Sequence, residues 1–403
     1  MDLILKKDQG GRIFTAIHNG HTLGYVAIDS TVGGRSCGGL RMLPDVNEAE
    51  IRALARSMTL KYGFLGLPQG GAKAGVLGNP EAPESERLER LAEFGHVIEP
   101  LLRTKAFIPT SDMGTQDSDI LYMLHSVGMH VTRRDFRTNS SGYYTGLSVM
   151  AGVIQSAQHL GLDLSRCTAA IEGFGNVGKP LADLLRKAGV KIVAISTSRG
   201  GLYNPQGLDV DRLGRQAEQT GSRVVEHYHD AELIVPEKLL ELPVDILCPC
   251  ARWNSLNMTN VERIVVKVIC PGANNPITPE AENVLFERGV LCLPDFVTNC
   301  GGVLGGTMEF ASISAEKIAI FINHHLGIRI ARLLNEAMSK HQLPREVVVP
   351  FALRRFSRVA QRAECPTPLS RLFRLGLEYY RRGWIPGPFI ALLSLRYFKK
   401  LMT

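Results

Sequence analysis

Three ionisable side chains in the first third of the chain have the types and settings of a proton-transfer site. Lys73 comes just after the Gly70-Gly71 pair. A glycine pair lets the backbone approach a ligand and leaves the ammonium in a cleft. Lys61 lies twelve residues earlier, at the end of a helical stretch. Two ammoniums held near each other disfavour double protonation, which lowers a pKa towards the range useful for a base. Asp112, in IPTSDMGT (108–115), follows an apolar stretch where a strand end can present a carboxylate. A carboxylate and a lysine in one site can divide proton-transfer roles. Spacing alone leaves each of the three open as a surface charge.

A second constellation is built for phosphates. Gly173-Phe174-Gly175-Asn176-Val177-Gly178 directly follows the apolar stretch CTAAIE (167–172) and opens a helical stretch over 176–188. A second apolar strand, KIVAIS (191–196), comes next. This is the strand–turn–helix–strand context of a dinucleotide-binding fingerprint. Gly173 permits the tight turn, Gly175 lets the backbone approach a pyrophosphate, and Gly178 lets helix and strand pack closely. The helix N-terminus supplies free N–H groups and partial positive charge. An NAD site usually carries Asp or Glu at the end of the second strand, for the ribose hydroxyls. Here the segment reads Ser196-Thr197-Ser198-Arg199. No carboxylate repels a 2′-phosphate at Thr197, and Arg199 can bind one, so NADP, or use of both NADP and NAD, is expected.

The elements that must position these residues follow from pattern. TLGYVAID (22–29) reads as a strand. Residues 47–62 read as a helix: Asn47 followed by Glu50 is a capping-box pattern, Val46 and Ile51 can form a hydrophobic staple, and Ile51, Leu54, Ala55 and Met58 share a face. GFLGLPQGGAKAGVLG (63–78) is glycine-rich, and 84–102 and 143–160 look helical. Further strands are expected at DILCP (245–249), VVKVIC (265–270) and VLCLP (290–294). Strands alternating with helices imply an α/β fold with a parallel, doubly wound sheet. The polar stretch VTRRDFRTNSSG (131–142) is the best candidate linker.

Length and composition bound the class. A chain of 403 residues exceeds what one core usually organises, and 45% hydrophobic with 21% charged residues fits a globular protein. No run of about 18 apolar residues suggests a membrane span, and the start MDLILKKDQGGR lacks the features of a secretory signal. The eight cysteines form no zinc-type cluster, so no metal site is expected; reduced thiols in a cytoplasmic protein are. Of the net charge of +7, residues 351–403 carry +9, from eleven Lys and Arg against two Glu, and the first 350 residues carry −2. The chain is a nearly neutral body with a basic tail.

The segments GGLRMLP (38–44), MTLKYGFLGLPQGGAKAGV (58–76), TSDMGT (110–115), GFGNVGKPLADLL (173–185), ISTSRGGLYNPQGLD (195–209), PGANNPITPEAE (271–282) and LPDFVTNCGGV (293–303) resemble, in order, the glutamate/leucine/phenylalanine/valine dehydrogenase family. The resemblance covers roughly residues 10–330. It implies an N-terminal α/β substrate and oligomerisation domain (1–136), a Rossmann-type dinucleotide-binding domain (137–330) and a helical C-terminal segment with the basic tail (331–403). It also implies a homo-oligomer and reversible oxidative deamination of an L-amino acid to the 2-oxo acid and ammonia, with a nicotinamide cofactor. Carried over by position, Lys61 binds the substrate α-carboxylate. Lys73 activates water for attack on the imino intermediate, and Asp112 exchanges the proton with the amino nitrogen. Thr145 and Asn299 position the nicotinamide and the reacting centre, while Asn254 and Asn274 fall in cofactor-facing loops. Cys37, Gly38, Gly39 and Gly306 complete the substrate-facing set.

Departures from the family pattern bear on the substrate. Glutamate-specific members resemble one another in a Lys just before GGLR and a Ser a few residues after the second glycine pair, which together hold the side-chain carboxylate. Cys37 and Gly306 occupy those positions here. Neither anchors a carboxylate, and a buried carboxylate without a partner costs several kcal/mol. An apolar side chain, as in leucine, valine or phenylalanine, is therefore expected, with glutamate as the alternative. GGTMEF (305–310), ending at Phe310, matches the apolar-specific members poorly too. The competing class is a non-catalytic, cofactor-binding regulatory subunit; retention of Lys61, Lys73 and Asp112 argues against it.

The tail segments RLFRLGLEYYRRGW (371–384) and FIALLSLRYFKKLM (389–402) are separated by Pro386-Gly387-Pro388. They read as amphipathic helices packed on the body or a neighbouring subunit, ahead of contact with a membrane surface. Binding to nucleic acid is not expected.

Overall fold

The structure is a computed structural model and describes residues 2–8, 11–131, 141–364, 376, 379–380 and 384–402. Most of the stretch read as a linker, and most of 371–384, lie outside those residues. The chain divides into two compact units, Met1–Arg137 with Phe351–Pro386 and Thr138–Pro350 with Gly387–Thr403.

The first unit is built on a six-stranded sheet of β1 (Asp2–Asp8), β2 (Gly11–His18), β3 (His21–Ile28), β4 (Ser36–Leu43), β5 (Gly70–Leu77) and β6 (Ile108–Ser111), in the order β1-β2-β3-β5-β4-β6. β1, β2, β3 and β5 pair antiparallel, whereas β4 runs parallel to both β5 and β6. Helices cover both faces. On one, Phe94, Ile98, Ile120 and Met123 of helices Glu84–Arg103 and Asp117–Ser126 pack on Val26, Leu40, Met42 and Val76. On the other, Ile51, Leu54 and Ala55 of helix Glu48–Leu65 meet Ile13, Ala27 and Val46.

That helix starts where its cap requires. Asn47 is extended at φ −135°, and its Oδ1 accepts from the Glu50 backbone N at 3.0 Å. Val46 and Ile51 share one cluster, as a staple across the cap does. The glycine-rich segment after the helix is a strand, β5, buried along nearly all its length. A Cβ on Gly71 would strike the Thr59 backbone N, so glycine lets the helix lie directly on the sheet beside Lys73.

The second unit carries a seven-stranded sheet of β7 (Thr168–Glu172), β8 (Lys191–Thr197), β9 (Gly200–Tyr203), β10 (Glu232–Ile234), β11 (Ile246–Pro249), β12 (Val268–Ile269) and β13 (Leu291–Cys292), in the order β10-β9-β8-β7-β11-β12-β13. The five strands from β8 to β13 are parallel, the arrangement expected of a doubly wound sheet. β12 and β13 are only two residues long, shorter than VVKVIC and VLCLP suggest. β9 and β10 form an antiparallel edge that the pattern does not reveal. They are short, and Leu233 of β10 is exposed, so no alternation marks them. Helix Ser141–Leu160 packs against helices Gly178–Lys187, Gly301–Phe310 and Gly327–Ser339.

Within the same unit, helix Gly387–Met402 buries Phe398 and Met402, with the Phe398 ring 6.4 Å from that of Phe321. This part of the tail packs on the body through one face, and its other face exposes Leu392, Leu393 and Tyr397. Among the described residues no helix is long and apolar enough to cross a membrane.

Candidate active site

In the first unit the sheet register gathers residues far apart in sequence. β4 and β6 pair Gly39 with Thr110, and β4 and β5 pair Arg41 with Gly75. Lys73, on β5, places Nζ 2.8 Å from Oδ2 of Asp112, just past the end of β6. The same oxygen lies 2.9 Å from Nε of Arg41 on β4. Nη1 of Arg41 in turn pairs with Oε1 of Glu50, in the first turn of the capped helix. Lys61, Lys73, Arg41 and Glu50 are buried, and Asp112 keeps 20% of its side chain exposed. A Cβ on Gly39 would approach Asp112 Cβ at 2.7 Å and Lys73 Nζ at 3.0 Å, so the glycine opens the space in front of the pair. A Cβ on Gly38 would strike the Ala72 carbonyl, so only glycine fits there.

The electrostatics follow from burial and neighbours. Burial pulls the Lys73 ammonium down to about 8; Asp112 opposes this, and the charges of Arg41 and Lys61 add to it. For Asp112, burial works upwards, but the Lys73 ammonium and the Arg41 guanidinium outweigh it and hold the carboxyl well below its usual range. Cys37 shares a hydrogen bond with the Tyr62 hydroxyl. Burial pushes both groups up, so thiol and phenol are neutral at neutral pH. Arg41 is engaged in the ion network and Arg35 is exposed.

In the second unit each glycine of the turn has its own geometry. Gly173 has φ 91°, a left-handed conformation that suits glycine. Gly175 has open space around the position of a Cβ. A Cβ on Gly178 would strike the Gly173 carbonyl, which fixes how closely the helix follows the strand. Asn176 is exposed, and Val177 precedes the first helical residue. Ser196 Oγ accepts from the Gly173 N–H at 3.1 Å and its carbonyl from Phe174 N at 2.6 Å, so buried Ser196 serves the turn itself. Thr197 donates its hydroxyl to the Ser222 carbonyl and accepts from the Arg199 N–H; the Arg199 side chain is exposed.

Asn299 joins the loops. Its Nδ2 donates to the Ala273 carbonyl and to Asn274 Oδ1, both at 2.9 Å. Asn254, at φ 50°, donates its N–H to the Asn275 carbonyl. Thr145 bonds the Ser141 carbonyl at 2.9 Å, and a Cβ on Gly302 would lie 2.7 Å from its Oγ1. Gly306 sits in the second turn of helix Gly301–Phe310, whose Gly305 packs on the ring of Tyr144. No group of three or more His, Cys, Asp or Glu side chains among the described residues could hold a metal ion.

Sequence reading missed several residues that build these sites. Arg41 and Glu50 complete the Lys73–Asp112 cluster; a single arginine inside the apolar strand SCGGLRML was the available signal. Ser148 accepts from the Gly301 N–H and donates to the Thr298 carbonyl, pinning the Asn299 turn to helix Ser141–Leu160. Arg345 pairs with Glu282 at 2.5 Å and with Asp295 at 3.2 Å, and Asp295 accepts from the Asn275 N–H. Ser148, Arg345 and Asp295 have no local pattern that marks them.

Residues 139–347 match the family described as Glutamate/Leucine/Phenylalanine/Valine dehydrogenase, and residues 13–129 match Glu/Leu/Phe/Val dehydrogenase, dimerisation domain. The chain belongs to this dehydrogenase family. The glutamate dehydrogenase of Thermotoga maritima is 37% identical over 304 residues, covering 71% of this chain and 72% of the relative. The catabolic NAD-specific glutamate dehydrogenase of Bacillus subtilis is 33% identical over 324 residues, covering 76% and 73%. Among solved structures, the hetero-hexameric glutamate dehydrogenase of Thermus thermophilus (Leu bound form) aligns with TM-score 0.71 at 24% identity, covering 86% of each chain. The L-tryptophan dehydrogenase of Nostoc punctiforme aligns with TM-score 0.58 at 24% identity, covering 84% of this chain and 93% of that one.

The amino-acid dehydrogenase family thus accounts for both halves of the chain. The protein is an NAD(P)-dependent amino-acid dehydrogenase, an oxidoreductase with a Rossmann-type nucleotide-binding unit and the family's dimerisation domain. The second unit offers what a nicotinamide dinucleotide needs. Besides the glycine turn, the buried Oδ1 of Asn299 has no hydrogen-bond partner, and such an acceptor calls for a donor such as a carboxamide N–H.

Proposed function

We propose that this dehydrogenase oxidises an L-amino acid with an apolar side chain to its 2-oxo acid and ammonia. The observation carrying the substrate class is the Cys37–Tyr62 pair, which puts two neutral groups where a lysine would hold a second carboxylate. Arg41 is engaged by Asp112 and Glu50 and does not replace that lysine. Residues 1–136 would form the substrate and oligomerisation domain of a homo-oligomer, 137–330 the dinucleotide-binding domain, and 331–403 a C-terminal helical segment. The seven described cysteines form no disulfide, which supports a reducing compartment such as the cytoplasm.

The family resemblance, supported by the two clusters, implies the following roles. Lys61 binds the α-carboxylate. Gly175, Asn176 and Gly178 hold the pyrophosphate with N–H groups at the helix start, Thr145 and Asn299 orient the nicotinamide, and Asn254 and Asn274 lie in the cofactor-facing loops. The bound cofactor supplies the acceptor for the hydride leaving the α-carbon. Asp112 takes a proton from the α-ammonium as the imine forms. Neutral Lys73 then takes a proton from water as its oxygen bonds to the imine carbon. With that proton on Lys73, Asp112 returns its own to the nitrogen; as the C–N bond breaks and ammonia leaves, the freed Asp112 carboxylate accepts the remaining hydroxyl proton and the carbonyl forms. The two groups titrate as a pair: a neutral Lys73 no longer depresses Asp112, which makes the carboxylate the better proton acceptor when it is needed. At the ribose, Thr197 offers no negative charge and Arg199 stands two residues on, which supports use of NADP at least equal to that of NAD.

A second reading is glutamate as substrate, favoured by the relatives named glutamate dehydrogenases at 33–37% identity. A panel of amino acids with NAD and NADP, followed by the absorbance of the reduced nicotinamide, separates the readings. Leucine, valine or phenylalanine should exceed glutamate by roughly 30–150-fold in kcat/KM, the worth of lost charged hydrogen bonds. A preference for glutamate would establish the second reading. Cofactor binding with no turnover of any amino acid would instead indicate a regulatory subunit.

A further inference from the structure

We propose that Arg41, backed by Glu50, is a positioning residue that selects which oxygen of Asp112 works in proton transfer and sets the charge felt by Lys73. Arg41 and Lys73 both meet Oδ2 of Asp112, at 2.9 and 2.8 Å. Both cations make their nearest contact with Oδ2, and the Asp112 side chain keeps part of its surface open. The carboxylate is therefore clamped through one oxygen, with the other left for the substrate nitrogen. The guanidinium suits this role because its planar fork serves two acids at once: Nε to Asp112 and Nη1 to Glu50.

Glu50 has its own reason to be where it is. The Asn47 cap fixes the first turn of helix Glu48–Leu65, and the Glu50 carboxylate from that turn runs to Arg41. Arg41 and Glu50 are only 4% and 3% exposed. Buried charges are a poor source of stability compared with apolar side chains of similar size. Their placement beside the reacting pair fits a role in setting its charge. The charged groups around Lys73 are Asp112, Arg41 and Lys61, with Glu50 acting through Arg41.

This inference rests on the proposed amino-acid oxidation, in which Lys73 acts as the neutral base. The test compares full-length Glu50→Gln, the double variant Arg41→Gln with Glu50→Gln, and Arg41→Lys. The readouts are the rising limb of the kcat/KM pH profile, with the best substrate of the wild type, and a 13C NMR titration of Cε-labelled lysines. Loss of a resonance in Lys73→Arg identifies Lys73. Glu50→Gln strips a negative charge from behind Arg41 and should move both readouts to lower pH. The double variant removes the nearer positive charge without orphaning Glu50, and should move both to higher pH by on the order of one unit. Arg41→Lys keeps the charge and loses the fork, so the limb should stay in place while kcat falls at least about tenfold. Unmoved titration in both the single and double variants, with losses only in melting temperature, would overturn the proposal. The NMR arm needs no turnover, so a wild type inactive on every amino acid would refute the substrate reading and leave this inference to its own result. Should the double variant fail to fold, the direction in Glu50→Gln and the kcat of Arg41→Lys decide it.

Discussion

Lys73 Nζ stands 2.8 Å from Asp112 Oδ2, with only 3% of the lysine side chain open to solvent. A buried ammonium against a carboxylate would ordinarily stay protonated. Here burial, reinforced by the Arg41 and Lys61 charges, outweighs Asp112 and leaves the lysine at about 8, poised to release a proton under mild conditions.

Lys73→Ala should abolish turnover and leave dinucleotide binding intact, since a general base contributes about 10²–10⁴-fold. Steady-state kinetics with nicotinamide fluorescence titration checks this, and near-normal turnover would remove Lys73 from the mechanism. Lys61→Ala should instead raise KM for the amino acid; an unchanged KM would show that Lys61 does not hold the α-carboxylate.

The pH dependence of activity has a definite sign. A base with a pKa of about 8 is charged below that value, so kcat/KM should rise with pH through about 8. A flat profile over about pH 6.5 to 9 with a non-sticky substrate would contradict neutral Lys73 as the base.

Two glycines of the turn should respond oppositely to a methyl group. Gly175→Ala meets open space in the protein, so stability should change by less than about 0.5 kcal/mol while dinucleotide binding weakens. Gly178→Ala strikes the Gly173 carbonyl and should lower the melting temperature. Unaltered dinucleotide affinity in Gly175→Ala would argue that no phosphate approaches that backbone.

Thr197→Asp should shift preference towards NAD, and Arg199→Ala should weaken NADP selectively, because a guanidinium pairs with a 2′-phosphate and a carboxylate repels it. Equal effects of Arg199→Ala on both cofactors would make it a solvated loop charge.

Glu172, at the end of β7, links stability to pH. Burial pushes its carboxyl up to about 7, against the Ser255 hydroxyl and the N–H groups of Ala251 and Arg252. The folded value lies above the ordinary 4.5, so this contribution to stability is full below about 4.5 and is lost as pH rises through about 7. Relative to Glu172→Gln, the wild type should lose up to roughly 3 kcal/mol between about pH 4.5 and 7.5, measured by denaturant unfolding. Parallel pH curves for the two proteins would show that Glu172 is not held neutral.

The parts legible in the sequence are those decided within a few residues along the chain. Asn47 caps its helix through the N–H of Glu50, three residues on, and Val46 and Ile51 close the staple. The turn from Gly173 to Gly178 is likewise set locally, by one left-handed glycine and one crowded one. The strands flanking it are apolar because a parallel sheet is covered on both faces. What the tertiary structure alone decided is which charges meet. Arg41, Glu50, Lys73 and Asp112 come from β4, the capped helix, β5 and the end of β6, and only the parallel register of those strands brings them together. The same holds for Cys37 with Tyr62 and for Arg345 with Asp295. The protonation state of such groups depends on the atoms around them in space, through burial and Coulomb interaction at a few ångströms, and residue order along the chain carries no record of those distances.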